Sequence, residues 1–202
     1  MSSAITAHDE HLHATHDDAH HEHHHHETFI TKYVFSQDHK TIAKQFLVTG
    51  IIWAIVGGLF SVLFRLQLGY PDSSFPFLED ILGHWAKGGK IQPEFYYAIV
   101  TMHGTILVFF VLTAGLSGTF ANFLIPLQIG ARYMASPMLN MLSYWFFFMA
   151  SIVMASSLFV QTGPASGGWT IYPPLSALGD ASIGSKIGMD LWLVSMALFV
   201  VS

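Results

Sequence analysis

The sequence predicts an all-α, polytopic membrane helix bundle, with three complete transmembrane helices and the start of a fourth. Three observations carry this expectation. The chain is 52% apolar and only 10% charged, an unusual balance for a water-soluble domain of 202 residues. Its eight Lys and Arg residues are segregated, with none between Lys44 and Arg65, between Lys90 and Arg132, or between Arg132 and Lys186. The apolar runs show no two-residue alternation, so they read as helices rather than barrel strands.

A hydrocarbon core about 30 Å thick takes roughly 20 helical residues to cross. Residues 45–64 form one such crossing, and 95–131 hold a second with a polar turn at its end. A third runs over roughly 138–160 and leads into a Gly/Pro/Ser-rich segment. A fourth apolar run begins near Ile187 and still runs at Ser202, where further chain is expected to follow. Between the crossings, residues 66–94 read as a polar loop punctuated by Pro71, Pro76, Gly88, Gly89 and Pro93. Residues 128–137 read as a short turn and 161–186 as a longer one, while 28–44 lead along the surface into the first helix. Alternating crossings place residues 1–44 and Arg132 on one side of the membrane, and loops 66–94 and 161–186 on the other. Basic residues divide equally between the sides, but Lys32, Lys40 and Lys44 crowd one point and favour a cytoplasmic N-terminus.

Residues 1–27 hold ten of the thirteen histidines and six acids with almost nothing apolar, so they read as a disordered His-rich tail without a signal peptide. A solvated tail with incidental metal affinity, a copper-capturing tail and a cloning tag all fit that composition. Cysteine is absent, which excludes disulfides and thiolate-held zinc or iron–sulfur clusters. A metal here falls to nitrogen, oxygen or thioether ligands, and in practice to histidine. No nucleic-acid partner is expected.

His103 is the residue out of place. It lies eight positions past Phe95, about 12 Å into the second crossing at 1.5 Å per residue. An imidazole at that depth needs a partner, because an unpaired polar group in hydrocarbon costs several kcal/mol. A neutral histidine bonded to a neighbouring helix, an iron or copper ligand, and a proton relay are all compatible with the pattern. Gly104, Ala114, Gly115, Gly118 and Ala121 continue small residues along this helix, admitting either a neighbouring helix or a flat macrocycle. Arg65 closes the first crossing in the same half of the bilayer, where it either snorkels to the interface or donates to an anionic edge of a cofactor.

Several segments, in order, resemble the haem–copper oxidase superfamily, in the N-terminal portion of cytochrome c oxidase subunit I. These are DHKTI (Asp38–Ile42), Arg65 with Leu68–Gly69, TMHGTILVFF (Thr101–Phe110), NFLIPLQIGA (Asn122–Ala131), ASPMLNMLSYW (Ala135–Trp145) and GWTIYPPL (Gly168–Leu175). The likeness runs from about residue 36 to the end and leaves out the tail. It implies that residues 28–202 are the N-terminal part of the oxidase transmembrane domain. It implies His103 as an axial metal ligand of a low-spin haem A, Arg65 on the haem formyl group, and Tyr96 on a propionate. Trp169 would donate to a propionate of the oxygen-binding haem; without the motif it reads as an interfacial anchor. The second haem A and copper are expected to be held by residues beyond 202, so no catalytic residue is expected in this portion. Asn122 and Asn140 match members of a proton path, though each also suits a helix-end cap.

The implied reaction is reduction of dioxygen to water with electrons from cytochrome c, coupled to proton translocation. The implied partners are other oxidase subunits, including a copper-bearing subunit II, cytochrome c or an upstream respiratory complex, and membrane lipids. A bacterial inner membrane is the expected location. A quinol oxidase of the same superfamily is the first alternative, but Phe95 and Ala98 stand where that branch carries His and Gln for quinone. A non-enzymatic membrane metal-binding protein is the second. Three departures from the family pattern stand out. Tyr133 replaces an acid that opens a proton path, Phe46 replaces a tyrosine early in the first helix, and Gln67 replaces a Glu that helps hold a hard cation. A phenol, with an ordinary pKa near 10, is a poor proton collector at neutral pH, so the usual route through the turn at Tyr133 is expected to be altered or absent.

Overall fold

The computed structural model describes residues 29–184 and 186–202. The expected His-rich tail, residues 1–27, lies outside the described residues. The chain divides into two units, Met1–Val34 and Phe35–Ser202. In the first, Ile30–Val34 winds as a π-helical turn, with the Phe29 and Tyr33 rings 4.9 Å apart.

Among the described residues, the second unit is helical throughout its regular structure. Four long elements, α1 (His39–Gly69), α3 (Pro93–Ile129), α4 (Pro137–Ser157) and α5 (Ile187–Val201), are joined by loops, with the short α2 (Pro76–Leu82) between the first two. α1, α3 and α4 are long and apolar enough to cross a membrane, and α5 is a shorter apolar helix, so the predicted bundle of three spans and part of a fourth is what the chain forms. Each span starts where its sequence allows. Asp38 caps α1, its carboxylate accepting from the backbone N–H and hydroxyl of Thr41 at 3.0 and 2.9 Å. Pro93 and Pro137 open α3 and α4, where a missing N–H leaves no bond unmade. Gly130, at φ +67°, closes α3 in the left-handed conformation that glycine adopts without strain.

α1 and α3 run antiparallel with their backbones in contact. A Cβ on Gly50 would fall 2.9 Å from the Cα of Gly115, and one on Gly118 would fall 2.8 Å from the Phe46 ring. Small residues here let the helices approach without a hydrophobic driving force, which lipid does not supply. α3 is wound as a π-helix from Ile106 to Ser117, and Thr113 donates to the carbonyl of Val108 five residues back at 2.8 Å. Phe110 is fully buried where the spans meet, within reach of Trp53, Phe147 and Phe199. α5 is pinned by Trp192, whose indole N–H donates to Thr105 at 3.0 Å, and by Ser195, which donates to the Ala150 carbonyl at 2.7 Å.

The segment expected as a polar loop differs from that reading. α1 continues to Gly69, and the following residues build α2, two short 3₁₀ turns and a small core of their own. Leu78, Ala86 and Ile91 pack there on Phe95, Ala98 and Ile99 of α3, with Trp85 stacked on Phe95 at 5.1 Å. Prolines and glycines punctuate this segment, but its apolar residues decide where it sits. Gln67 holds it to α1, its side-chain oxygen accepting from the Ile91 N–H at 3.0 Å.

Candidate functional site

His103 lies in the first α-helical section of α3, three residues before the π-helical section begins. Its Nδ1 sits 2.8 Å from the carbonyl of Gly57 on α1. A carbonyl only accepts, so Nδ1 donates this bond, and the Nδ1–H tautomer of an imidazole carries its lone pair on Nε2. A Cβ on Gly57 would fall 2.7 Å from the Leu107 side chain and 3.2 Å from that of Ile106, so glycine eases the packing of α1 on α3 beside this bond. An imidazole with one nitrogen tied to a backbone acceptor and the other free to donate electrons is the arrangement of a metal ligand with an oriented ring.

Aromatic groups frame that ring. Phe64, on α1, stands edge-on to His103 at 5.3 Å and edge-on to Tyr96 at 6.2 Å, so it bridges two of the residues singled out by sequence. Trp169 arrives from the loop after α4. The Gly168 N–H donates to the Thr101 hydroxyl at 3.0 Å, and the indole lies 3.7 Å from where a Cβ on Gly104 would be. Gly104 therefore leaves room beside the histidine that a larger residue would take. Arg65 follows Phe64 at the same end of α1; it is exposed and makes no ion pair or hydrogen bond among the described residues.

These side chains fit a haem iron. Among the described residues no group of three or more His, Cys, Asp or Glu gathers to hold a metal ion by itself. A haem would bring most of its own ligands, so a single oriented imidazole such as His103, held by its Gly57 bond, would suffice to hold one.

The two asparagines lie at the opposite end of the bundle. Neither caps a helix terminus: Asn122 is seven residues inside the end of α3, and Asn140 is within the first turn of α4. Both are partly orphaned, for Asn122 Oδ1 and Asn140 Nδ2 are buried without hydrogen-bond partners among the described residues. A cavity of about 300 Å³ is lined by Asn122, Ser143, Thr113, Gly118 and Phe46, and Ser143 donates to the Asn140 carbonyl at 2.9 Å. His39 reaches the same region, its buried Nδ1 lying 2.9 Å from the Asn122 carbonyl. Sequence reading missed Gly57 and His39 as partners. Neither had a signal pointing to its bond, because the acceptor in each bond is a backbone carbonyl.

Comparison with known proteins assigns the family. Residues 41–202 match the model of "Cytochrome C and Quinol oxidase polypeptide I". The chain belongs to that family. It is 43% identical over 171 residues to the alternative cytochrome c oxidase subunit 1 of Bradyrhizobium diazoefficiens, covering 85% of this chain and 26% of the relative. It is 38% identical over 167 residues to the cytochrome c oxidase subunit 1 of a Synechocystis species, with 82% and 26% covered. It is 34% identical to the heme-copper oxidase subunit I+III of Aeropyrum pernix, with 86% and 19% covered. The chain thus spans about a quarter or less of the length of these curated relatives. Oxidase membership and three spans together make it an integral membrane protein of an oxidoreductase family.

Proposed function

We propose that this chain supplies the electron-transfer station of a terminal cytochrome c oxidase, holding one face of a low-spin haem A through Nε2 of His103. The bond from His103 Nδ1 to the Gly57 carbonyl carries the reading. It fixes the tautomer, orients the ring and strengthens Nε2 as a donor. When bound, the haem supplies a one-electron carrier.

The remaining residues bind and tune. The permanently charged Arg65 guanidinium suits the formyl edge, where it stabilises added negative charge and raises the potential. Tyr96 is assigned to a propionate of the same haem and Trp169 to a propionate of the oxygen-binding haem. Asn122 and Asn140 belong to the proton path, where the unpaired Asn122 Oδ1 suits a donor such as water and the unpaired Asn140 Nδ2 suits an acceptor such as water. The second haem A, the copper and the oxygen chemistry fall to residues beyond 202. Cytochrome c is the electron donor, a copper-bearing subunit II the expected neighbour, and a bacterial inner membrane with a cytoplasmic N-terminus the setting. Burial of Phe95 and Ala98 in the small core under the Trp85 loop weighs against quinol as donor.

An optical spectrum of the intact purified complex tests this. Haem A is expected, with the low-spin signal lost in His103→Ala; another haem type or an unchanged low-spin signal would overturn the assignment.

A further inference from the structure

Lys40 and Lys44 lie one turn apart near the start of α1, and both are exposed. Neither ammonium makes an ion pair among the described residues. Lys40 stands in the first helical turn, where the positive end of the helix dipole disfavours a cation. Asp38, the adjoining acid, is already engaged by the backbone N–H and hydroxyl of Thr41. The other described acids lie at the far end of the bundle: Asp72, Glu79, Asp80 and Glu94 around the segment after α1, and Asp180 and Asp190 around the start of α5. The two lysines are therefore left without a counter-charge from the described residues.

Below them the same face of α1 turns apolar. Leu47, Val48, Ile51 and Ile55 follow at intervals of three and four residues, which keeps them on the lysine side of the helix. Each is between 37% and 59% exposed. In a membrane span such a face meets hydrocarbon, while lysine stems carry their charges to headgroup level. Two cations one turn apart above an apolar stripe complement an amphiphile with an anionic head and acyl chains beneath it. A soluble anion would use the lysines and leave the stripe bare. A zwitterionic lipid brings its own ammonium beside its phosphate, which the lysines repel.

We propose that Lys40 and Lys44, with the apolar stripe from Leu47 to Ile55, bind an anionic phospholipid of the phosphatidylglycerol class. The two ammonium groups hold the phosphodiester, and the acyl chains lie along Val48, Ile51 and Ile55. The inference uses only the placement of α1 across a membrane and is independent of the haem assignment.

The test uses the intact oxidase in phosphatidylcholine vesicles carrying a trace of photoreactive phosphatidylglycerol, or of photoreactive phosphatidylcholine with the same acyl chains. Labelled peptides are then mapped. Phosphatidylglycerol is expected to label α1 between residues 47 and 55, with displacement by unlabelled phosphatidylglycerol but not by inorganic phosphate. Lys40→Gln combined with Lys44→Gln is expected to weaken that binding roughly 25-fold, from about fivefold for each cation at a membrane surface, with the haem spectrum unchanged. Lys40→Arg combined with Lys44→Arg keeps both charges and is expected to bind as the native chain does. Equal labelling by the two lipids, native affinity in the glutamine pair, or equal weakening in the arginine pair would overturn the proposal. Displacement by inorganic phosphate would overturn it in favour of a free-anion site. Absence of α1 labelling by either lipid would overturn it in favour of a protein subunit covering this face.

Discussion

Pro126 sits inside α3 and has no N–H, so the carbonyl four residues earlier, on Asn122, receives no α-helical hydrogen bond. His39 supplies the missing donor from α1, at 2.9 Å and with only 3% of its surface exposed. In His39→Ala that buried carbonyl loses its partner, which costs about 1–3 kcal/mol before any loss of packing. Pro126→Ala restores a backbone N–H to the same carbonyl. His39→Ala is therefore expected to cost at least about 1 kcal/mol more with proline at 126 than with alanine there, a coupling in the range seen for residues that share one hydrogen-bond network. Denaturation of the intact detergent-solubilised complex, measured for the wild type, both single variants and the double variant, reads this coupling. Equal costs of His39→Ala in the two backgrounds would refute the idea that the histidine compensates for the proline.

Two further outcomes follow from the same helices. Gly50→Ala sets a Cβ against the Gly115 backbone, which cannot rotate away, so it is expected to destabilise by about 1–3 kcal/mol, whereas Gly58→Ala, with nothing within 4 Å of its Cβ, should not; denaturation midpoints compare them. Burial pushes the Asp38 carboxyl up, but the hydrogen bonds from Thr41 and Lys40 and the neighbouring His39 outweigh it, leaving the carboxyl below its usual range. A carboxyl lowered in the folded state stabilises above its unfolded pKa of about 4, and that contribution disappears as pH falls through the folded value. Asp38→Asn should therefore remove part of the acid sensitivity of the folded protein between neutral and acid pH, seen as a flatter stability profile.

The spans were legible because charge is so costly in hydrocarbon that its absence over 45–64 and 95–131 marks them directly. His103 was legible for the converse reason, as a polar group too deep to be incidental. What lay hidden was its partner. Gly57 offers a backbone carbonyl, and every residue has one, so only the register of α1 on α3 selects it. The same holds for His39: Pro126 announces an unpaired carbonyl in the sequence, but not the donor that meets it. Residues 66–94 were read by their glycines and prolines as a loop, while Leu78, Ala86 and Ile91 were too sparse to mark a core until α3 brought Phe95 and Ile99 beneath them. Asn122 and Asn140 were found by motif, and their unpaired amide atoms became visible only with the packing around them.

An experimental density map of the whole assembly puts the question most directly. The expectation is a porphyrin beside α3, its iron bonded to the Nε2 of His103 while Nδ1 keeps its hold on the Gly57 carbonyl. A map in which that ring faces lipid, or touches protein alone, would contradict the assignment.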